Sequence, residues 1–223
     1  MKFLAFCVLA IVAAAEARST GLSVAGANTA ISENPWLVHL RVALLDGAGR
    51  LGTCGGSLLN GRWVLTAVRC VERARFMWIR YGASNVINPE LVTETSTFFQ
   101  QFDLGLVSIL RDVEFTPTIS PIKFITGEHT LPETGKFCAY GEMDENIPGE
   151  ELSCSEWTLE AIDDGSFEGS NSEVKATQFD LGTPLVSNGV QYGVLVALPR
   201  PGVGAVFVNP ARYESWINDR IKN

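Results

Sequence analysis

The sequence predicts an all-β protein, and three features lead to this prediction. Short runs rich in β-branched and aromatic residues recur along the 223 residues. Turn-forming pairs such as Asn60-Gly61, Pro148-Gly149 and Asn188-Gly189 separate these runs. Helical periodicity is confined to the C-terminus. Regular strand spacing with such turns is typical of a β-barrel or a β-sandwich.

The predicted strands extend over most of the chain and are followed by one helix. The strands are Trp36 to Leu45, Trp63 to Ala67, Met77 to Tyr81, Leu104 to Leu110, Phe137 to Tyr140, Gln191 to Leu198 and Gly204 to Val208. Four residues near the C-terminus follow the spacing i, i+3, i+4 and i+8, which predicts one apolar helix face: Tyr213, Trp216, Ile217 and Ile221. Pro210 suits the first turn, and Arg220 falls within the stripe, so its tip is expected to reach water.

The first 17 residues are predicted to be a secretory signal peptide. Lys2 gives a positive start, and the apolar run from Phe3 to Ala15 is too short to span a bilayer. Ala15-Glu16-Ala17 has the small-x-small pattern of a cleavage site. The mature chain is therefore expected to be secreted and to span residues 18–223, which is enough for one domain or for two tightly joined halves.

Composition favours a globular protein and argues against two classes of partner. The hydrophobic content is 46%, and the formal net charge is −8. An acidic surface repels nucleic-acid phosphates and anionic headgroups, so neither nucleic acid nor membrane is predicted as a partner.

Cysteine usage indicates disulfides and no metal. Cys7 leaves with the signal peptide, and the cysteines that remain are Cys54, Cys70, Cys138 and Cys154. Four cysteines in a secreted chain predict two disulfides with three possible connectivities. The chain has no Cys-x-x-Cys motif and two histidines, so no zinc site and no cofactor are predicted.

One segment resembles a known family closely. Cys54 to Leu59 reads C-G-G-S-L-L, and Arg62 to Cys70 reads R-W-V-L-T-A-V-R-C. These runs resemble C-G-G-S-L-I and R-W-V-L-T-A-A-H-C of the trypsin/chymotrypsin serine proteases. Further matches follow in order at Pro35-Trp36-Leu37-Val38, Asp103-Leu104-Gly105-Leu106-Val107 and Asp180-Leu181-Gly182-Thr183-Pro184-Leu185-Val186. The resemblance covers roughly residues 23–223.

This resemblance implies two packed six-stranded antiparallel β-barrels with a C-terminal helix. The expected boundaries are about 24–110 for the N-terminal barrel, about 120–209 for the C-terminal barrel and about 210–222 for the helix. In the family, the catalytic cleft lies between the barrels.

The catalytic triad implied by the resemblance is degenerate. Arg69 stands at the position of the histidine base, and a guanidinium cannot accept a proton. Leu181 stands at the nucleophile position and has no heteroatom. Only the acid is kept, as Asp103. Because a buried carboxylate needs a partner, an Arg69–Asp103 ion pair is expected, the alternative being that Arg69 extends into solvent.

The rest of the implied site is altered as well. Phe179 replaces a glycine of the oxyanion hole, where a Cβ disfavours a positive φ. Asp180 keeps the position of the aspartate that pairs with the freed N-terminus, but Ser23-Val24-Ala25-Gly26 is preceded by Leu22 and signals no tryptic cut. Asp180 therefore needs another hydrogen-bond donor. The altered specificity pocket contains Lys175, Ala197 and Leu198.

The resemblance also implies the disulfide pairing. Cys54–Cys70 corresponds to the family's bridge around the base. Because the usual partners of Cys138 and Cys154 are replaced, these two are expected to pair with one another across adjacent strands.

These changes predict a secreted serine protease homologue that is not an enzyme and acts by binding protein, as an adaptor, decoy or regulator of proteolysis. Its signal and loop composition resemble those of arthropod homologues. Five acids between Glu142 and Glu151, and four between Asp163 and Glu173, favour a basic partner or a protease-cascade component. The alternatives are an abundant structural component of a secreted fluid and a residual hydrolase with a relocated nucleophile.

Overall fold

The computed structural model describes residues 30–45, 49–144, 146–163, 165–201 and 204–222. The predicted signal peptide and the segment Ser23-Val24-Ala25-Gly26 lie outside these residues. Two seven-stranded sheets, one from each half of the chain, form the body of the protein. The all-β prediction is therefore confirmed.

The first sheet is built from the first seven strands of the chain. They are β1 (Leu37–Leu44), β2 (Leu51–Asn60), β3 (Trp63–Ala67), β4 (Ala74–Tyr81), β5 (Leu91–Thr95), β6 (Phe98–Gln101) and β7 (Leu104–Ser108). All pairs are antiparallel, in the order β5-β4-β1-β2-β3-β7-β6. A one-turn helix, α1 (Val68–Val71), follows β3.

This first sheet is a half-barrel, whereas the resemblance implied a closed six-stranded barrel. Its two edge strands, β5 and β6, are only five and four residues long. They follow one another around a short turn, and within the described residues no ladder joins them. The backbone N–H of Ser108 instead donates to Thr97 O (3.0 Å), so the end of β7 attaches to that turn.

The second half of the chain contributes nine strands. They are β8 (Lys123–Phe124), β9 (Thr134–Ala139), β10 (Glu142–Asp144), β11 (Ile147–Pro148), β12 (Ser153–Asp163), β13 (Ser166–Ser170), β14 (Pro184–Ser187), β15 (Val190–Ala197) and β16 (Ala205–Val208). The second sheet has the order β14-β9-β12-β13-β16-β15-β8, and β14 also pairs with β15. That pairing closes six strands into a barrel, while β10 and β11 form a separate hairpin.

The two halves share buried apolar side chains, which fixes the junction between them. Val194 and Val208 of the second barrel belong to the core of the first sheet. A further cluster joins Leu37 and Val86 of the first half to Tyr140 of the second. Burial of such side chains stabilises the junction by roughly 1.5–3 kcal/mol for each large one. The junction is therefore a packed core.

The C-terminal helix packs back onto the first sheet. A 3-10 turn, Pro210–Tyr213, leads into α2 (Glu214–Ile221), and Tyr213 and Ile217 are buried in the core of the first sheet. The Asn209 side chain accepts from the Ala211 N–H (2.9 Å) and caps the turn. The exposed Arg220 lies with its guanidinium carbon 4.6 Å from the Phe99 ring centroid, a cation–π contact.

Both expected disulfides are present. Cys54–Cys70 joins β2 to α1, and Cys138–Cys154 joins β9 to β12. Cys138 and Cys154 are direct cross-strand partners with Cα atoms 4.1 Å apart. The predicted bridge across adjacent strands is therefore confirmed.

Replacing Cys138 and Cys154 together by alanine is expected to lower the free energy of unfolding by about 3 kcal/mol, because the bridge closes a span of 16 residues. Denaturant unfolding measures this. The paired control is the Cys54→Ala, Cys70→Ala variant, whose bridge spans the same 16 residues. A loss below about 1 kcal/mol in the first variant would contradict the expectation.

Candidate functional site

The three positions that the resemblance assigns to the triad lie close together in the fold. Arg69 is in α1, Asp103 is in the turn before β7, and Leu181 is in the loop before β14. The Val68 N–H donates to Asp103 O (2.8 Å), and the Gly55 N–H donates to Leu181 O (2.8 Å). These backbone contacts bring the α1 end, the Asp103 turn and the Leu181 loop to the junction of the two sheets.

The expected ion pair between Arg69 and Asp103 is wrong. Both side chains are exposed, and no ion pair joins them. The expectation assumed a buried carboxylate, whereas Asp103 follows Phe102, which is 77% exposed and adopts a left-handed φ of 49°. An exposed carboxylate keeps its hydration and needs no counter-ion. The alternative, with Arg69 extended into water, is what the structure shows.

Leu181 acts as an apolar bridge. Its half-buried side chain packs against the core of the first sheet and also against the core of the second barrel. Its carbonyl oxygen accepts a hydrogen bond from β2. A leucine at this point contributes packing between the two halves and offers no atom that can attack a carbonyl carbon.

The loop from Thr177 to Gly182 does not present the geometry of an oxyanion hole at Phe179. The Phe179 N–H donates to Thr177 Oγ1 (3.3 Å), and Phe179 is outside the positive-φ region. Gly182 alone in this loop has a positive φ, of 84°, and a Cβ there would lie 2.0 Å from Thr66 Oγ1. The donor at position 179 is therefore directed at its own loop, as expected from the missing glycine.

Asp180 is buried and has donors close by. It is 2% exposed. Its Oδ2 accepts from Thr177 N (2.7 Å) and Thr177 Oγ1 (2.9 Å), and its Oδ1 accepts from Gly141 N (3.0 Å). Burial raises the pKa of Asp180 to about 6, and the hydrogen bonds from Thr177 and Gly141 partly oppose this shift. The other donor that Asp180 was expected to need is thus supplied by Thr177 and Gly141.

The predicted pocket residues do not form a charged pocket base. Lys175 is exposed between the buried Val174 and Ala176, so its side chain points away from the core. Ala197 ends β15 half-buried, and Leu198 packs against the core of the second barrel.

Both histidines make contacts away from the triad positions. The His39 ring is buried in β1 and packs edge-on against Tyr140, with ring centroids 5.3 Å apart. Burial, then Arg80 and Arg41, lower the pKa of His39 to about 3. His129 Nδ1 lies 2.8 Å from Gly127 O, and its Nε2 contacts the Asn209 side chain. A general base works best with a pKa near neutral, so His39 is a poor candidate.

Across the described ranges, no group of three or more His, Cys, Asp or Glu side chains is arranged to hold a metal ion. None of the helices found there is long and apolar enough to cross a membrane.

The fold, the two disulfides and the ordered motifs together define a protein of the serine-endopeptidase architecture. The family model described as Trypsin matches residues 23–217. The chain belongs to the trypsin family. Kallikrein-15 of Saguinus oedipus is 25% identical to it, over 92% of this chain and 94% of that protein. Kallikrein-9 of Homo sapiens is also 25% identical, over 76% of this chain and 81% of its own.

Solved structures show the same fold at low sequence identity. A collagenase structure superposes with a TM-score of 0.80 at 21% identity, over 90% of this chain and 99% of the collagenase. The scabies mite inactivated protease paralogue S-I1 gives a TM-score of 0.79 at 22% identity, over 88% and 99% of the two chains. Paralogue S-D1 gives 0.78 at 20% identity, over 90% and 97%.

Protonation of Asp180 is expected to make folding stability depend on pH. Its folded-state pKa of about 6 lies above the ordinary 3.8, so the folded state binds the proton more tightly. This contribution is present below about pH 4 and is lost as the pH rises through about 6. The difference of about 2 pKa units corresponds to about 3 kcal/mol.

Denaturant unfolding of the wild type and of Asp180→Asn, at about pH 4 and about pH 8, measures this effect. The stability of the wild type relative to the variant should fall by about 2–3 kcal/mol between the two pH values, because the amide does not titrate. The exposed Asp144→Asn is the control and should show little change. A constant difference between wild type and Asp180→Asn would contradict the burial argument.

Proposed function

We propose that this chain is a secreted, non-catalytic member of the trypsin family that acts by binding a protein partner, as an adaptor, decoy or regulator of proteolysis. One observation carries the proposal: the nucleophile position holds Leu181, an apolar side chain that packs against the cores of both halves. Peptide-bond cleavage by this family requires an oxygen nucleophile and a base at these positions.

The surroundings of Leu181 support the same proposal. A guanidinium at position 69 cannot take a proton from a nucleophile. The Phe179 N–H is hydrogen-bonded within its own loop. The resemblance in fold to two proteins described as inactivated protease paralogues is consistent with a scaffold kept for purposes other than cleavage.

The Thr183 hydroxyl near the nucleophile position is poorly placed for attack. Thr183, two residues beyond Leu181, is 1% exposed. Its backbone N–H donates to Asp180 O (3.0 Å) and its carbonyl accepts from Leu195 N (3.0 Å), so it is held by backbone on both sides. A substrate carbonyl has no access to a side chain buried to this degree.

The test is labelling of the mature protein with a fluorophosphonate probe, which modifies activated serine or threonine hydroxyls. We expect no labelling under conditions that label active trypsin to completion, because Leu181 has no hydroxyl, Thr183 is buried, and the Thr177 hydroxyl is held by hydrogen bonds within its own loop. Trypsin blocked beforehand with a small sulfonyl fluoride gives the background. Thr183→Ala is the matched variant within the chain.

Stoichiometric labelling of the wild type that maps to the cleft would overturn the proposal. If that labelling disappeared in Thr183→Ala, Thr183 would be identified as the nucleophile.

A further inference from the structure

The outer face of the first sheet carries arginine, histidine and tryptophan side chains next to one another. On the β1–β4 pair, Arg41 lies opposite Trp78 and His39 lies opposite Arg80. On the β4–β5 pair, Arg80 lies opposite Val92. Because alternate residues of a strand share a face, these side chains form adjacent rows on one side of the sheet.

These rows form the floor of an open groove. Its volume is about 750 Å³, and its other wall is the segment from Ile147 to Glu150, which includes β11 of the second half. The groove therefore lies where the outer face of the first sheet meets the β10–β11 hairpin. We call it the β4 groove.

Apolar side chains line the β4 groove while remaining exposed. Leu51 is 46% exposed, Ile87 63%, Val92 47% and Ile147 46%. These four come from both halves of the chain and lie around a single groove. Large apolar side chains gathered in this way on a soluble protein mark a binding surface.

The charge of the β4 groove is opposite to that of the whole chain. Two guanidinium groups and one carboxylate, that of Glu150, line it, whereas the chain has a net charge of −8. Arg41 donates to Thr53 Oγ1 (2.9 Å), and Arg80 Nη1 lies 3.4 Å from His39 Nδ1. Within the described part of the chain, neither guanidinium is ion-paired with a carboxylate.

Arg41 and Arg80 are diagonal neighbours on one face of the β1–β4 ladder, since Arg41 pairs with Trp78 and Arg80 pairs with His39. Burial and then the charge of Arg41 lower the pKa of Arg80, which reflects their mutual repulsion. His39 on β1 is buried and neutral, so it adds no positive charge, and its ring contacts the Arg80 guanidinium. A carboxylate entering the groove would relieve this repulsion and accept charge-assisted hydrogen bonds from unpaired donors.

We infer that the β4 groove binds an extended acidic segment of a partner protein, with carboxylates on Arg41 and Arg80 and apolar side chains against Leu51, Val92 and Ile147. This inference rests on the proposed binding function and names the surface that performs it. It differs from the expectation that the acidic loops bind a basic partner. Several acids of those loops already accept hydrogen bonds within the protein. Glu151 accepts from Asn85 (2.6 Å), and Asp163 accepts from Gly165 N and Ser166 Oγ, both at 2.8 Å.

The experiment measures fluorescence polarisation of a labelled octapeptide that alternates glutamate with leucine, titrated with the full mature protein. Two control peptides have the same length: one replaces each glutamate by lysine, and the other replaces each leucine by serine. We expect saturable binding of the first peptide and at least tenfold weaker binding of both controls. Binding should also weaken with added salt, because the contact is ionic.

Arg80→Gln is expected to weaken binding of the glutamate–leucine peptide at least tenfold. The matched control is Arg75→Gln, which removes the same charge from an exposed position on the same strand. This control should change the affinity less than twofold. Circular dichroism of both variants verifies that they are folded.

Three outcomes would overturn the inference: no saturable binding, equal weakening by Arg75→Gln and Arg80→Gln, or tighter binding of the lysine peptide. Tighter binding of the lysine peptide would instead favour the acidic loops as the docking surface. The fluorophosphonate result on the same preparation separates the two proposals. An unlabelled protein that fails to bind the peptide refutes only the groove, whereas a labelled protein refutes the non-catalytic function.

Discussion

The conformation of the loop that carries Leu181 depends on the hydrogen bonds of one buried carboxylate. Asp180 has to find hydrogen-bond donors inside the protein, because an unsatisfied buried charge costs several kcal/mol. Thr177 supplies two of them and Gly141 the third. The Thr177 hydroxyl donates to Asp180 and also accepts from Phe179 N–H, so one side chain is hydrogen-bonded to both residues. The loop is thereby folded onto itself.

This arrangement determines what the neighbouring residues can do. With the Phe179 N–H turned toward Thr177, a substrate oxygen would have to compete with an existing hydrogen bond. Gly182 has a positive φ and precedes β14. Leu181, which lies between Phe179 and Gly182, packs against both cores. Leu181 is therefore well packed and contributes to the junction between the two halves, whereas the Arg69 and Asp103 side chains extend into solvent. The proposed binding surface lies elsewhere, on the opposite side of β1 and β4, where packing leaves arginine and apolar side chains open to solvent.

The sequence correctly predicted those features of the fold that a local residue pattern or a covalent bond determines. The apolar stripe from Tyr213 to Ile221 correctly predicted the helix. The phenylalanine at position 179, where the family has a glycine, correctly predicted that this residue lacks a positive φ. The Arg69–Asp103 ion pair failed, because the exposure of Asp103 depends on the left-handed turn at Phe102, which no sequence pattern reveals. The half-barrel was missed because strand pairing at an edge is a tertiary property.

The β4 groove was also absent from the sequence-based account. It depends on the register between β1 and β4, which brings residues 41 positions apart, His39 and Arg80, onto one face. Part of the pattern that produces the β4 groove is nonetheless visible in the sequence of β4. Phe76, Trp78 and Arg80 alternate with Met77, Ile79 and Tyr81 along β4, and the first set is the one that remains half exposed. Alternation of aromatic and arginine residues on an outward face could have indicated a binding surface.

The proposed lack of catalysis includes a prediction about the Thr177–Gly182 loop: its hydrogen bonding should keep activity low even when the histidine and serine of the triad are restored. Its most direct test is the rate of fluorophosphonate labelling of an Arg69→His, Leu181→Ser variant, followed beside active trypsin. Our account predicts labelling at least a thousandfold slower than that of trypsin, roughly the contribution of one oxyanion donor and a misplaced base. Labelling of the double variant at a rate within tenfold of trypsin would contradict it.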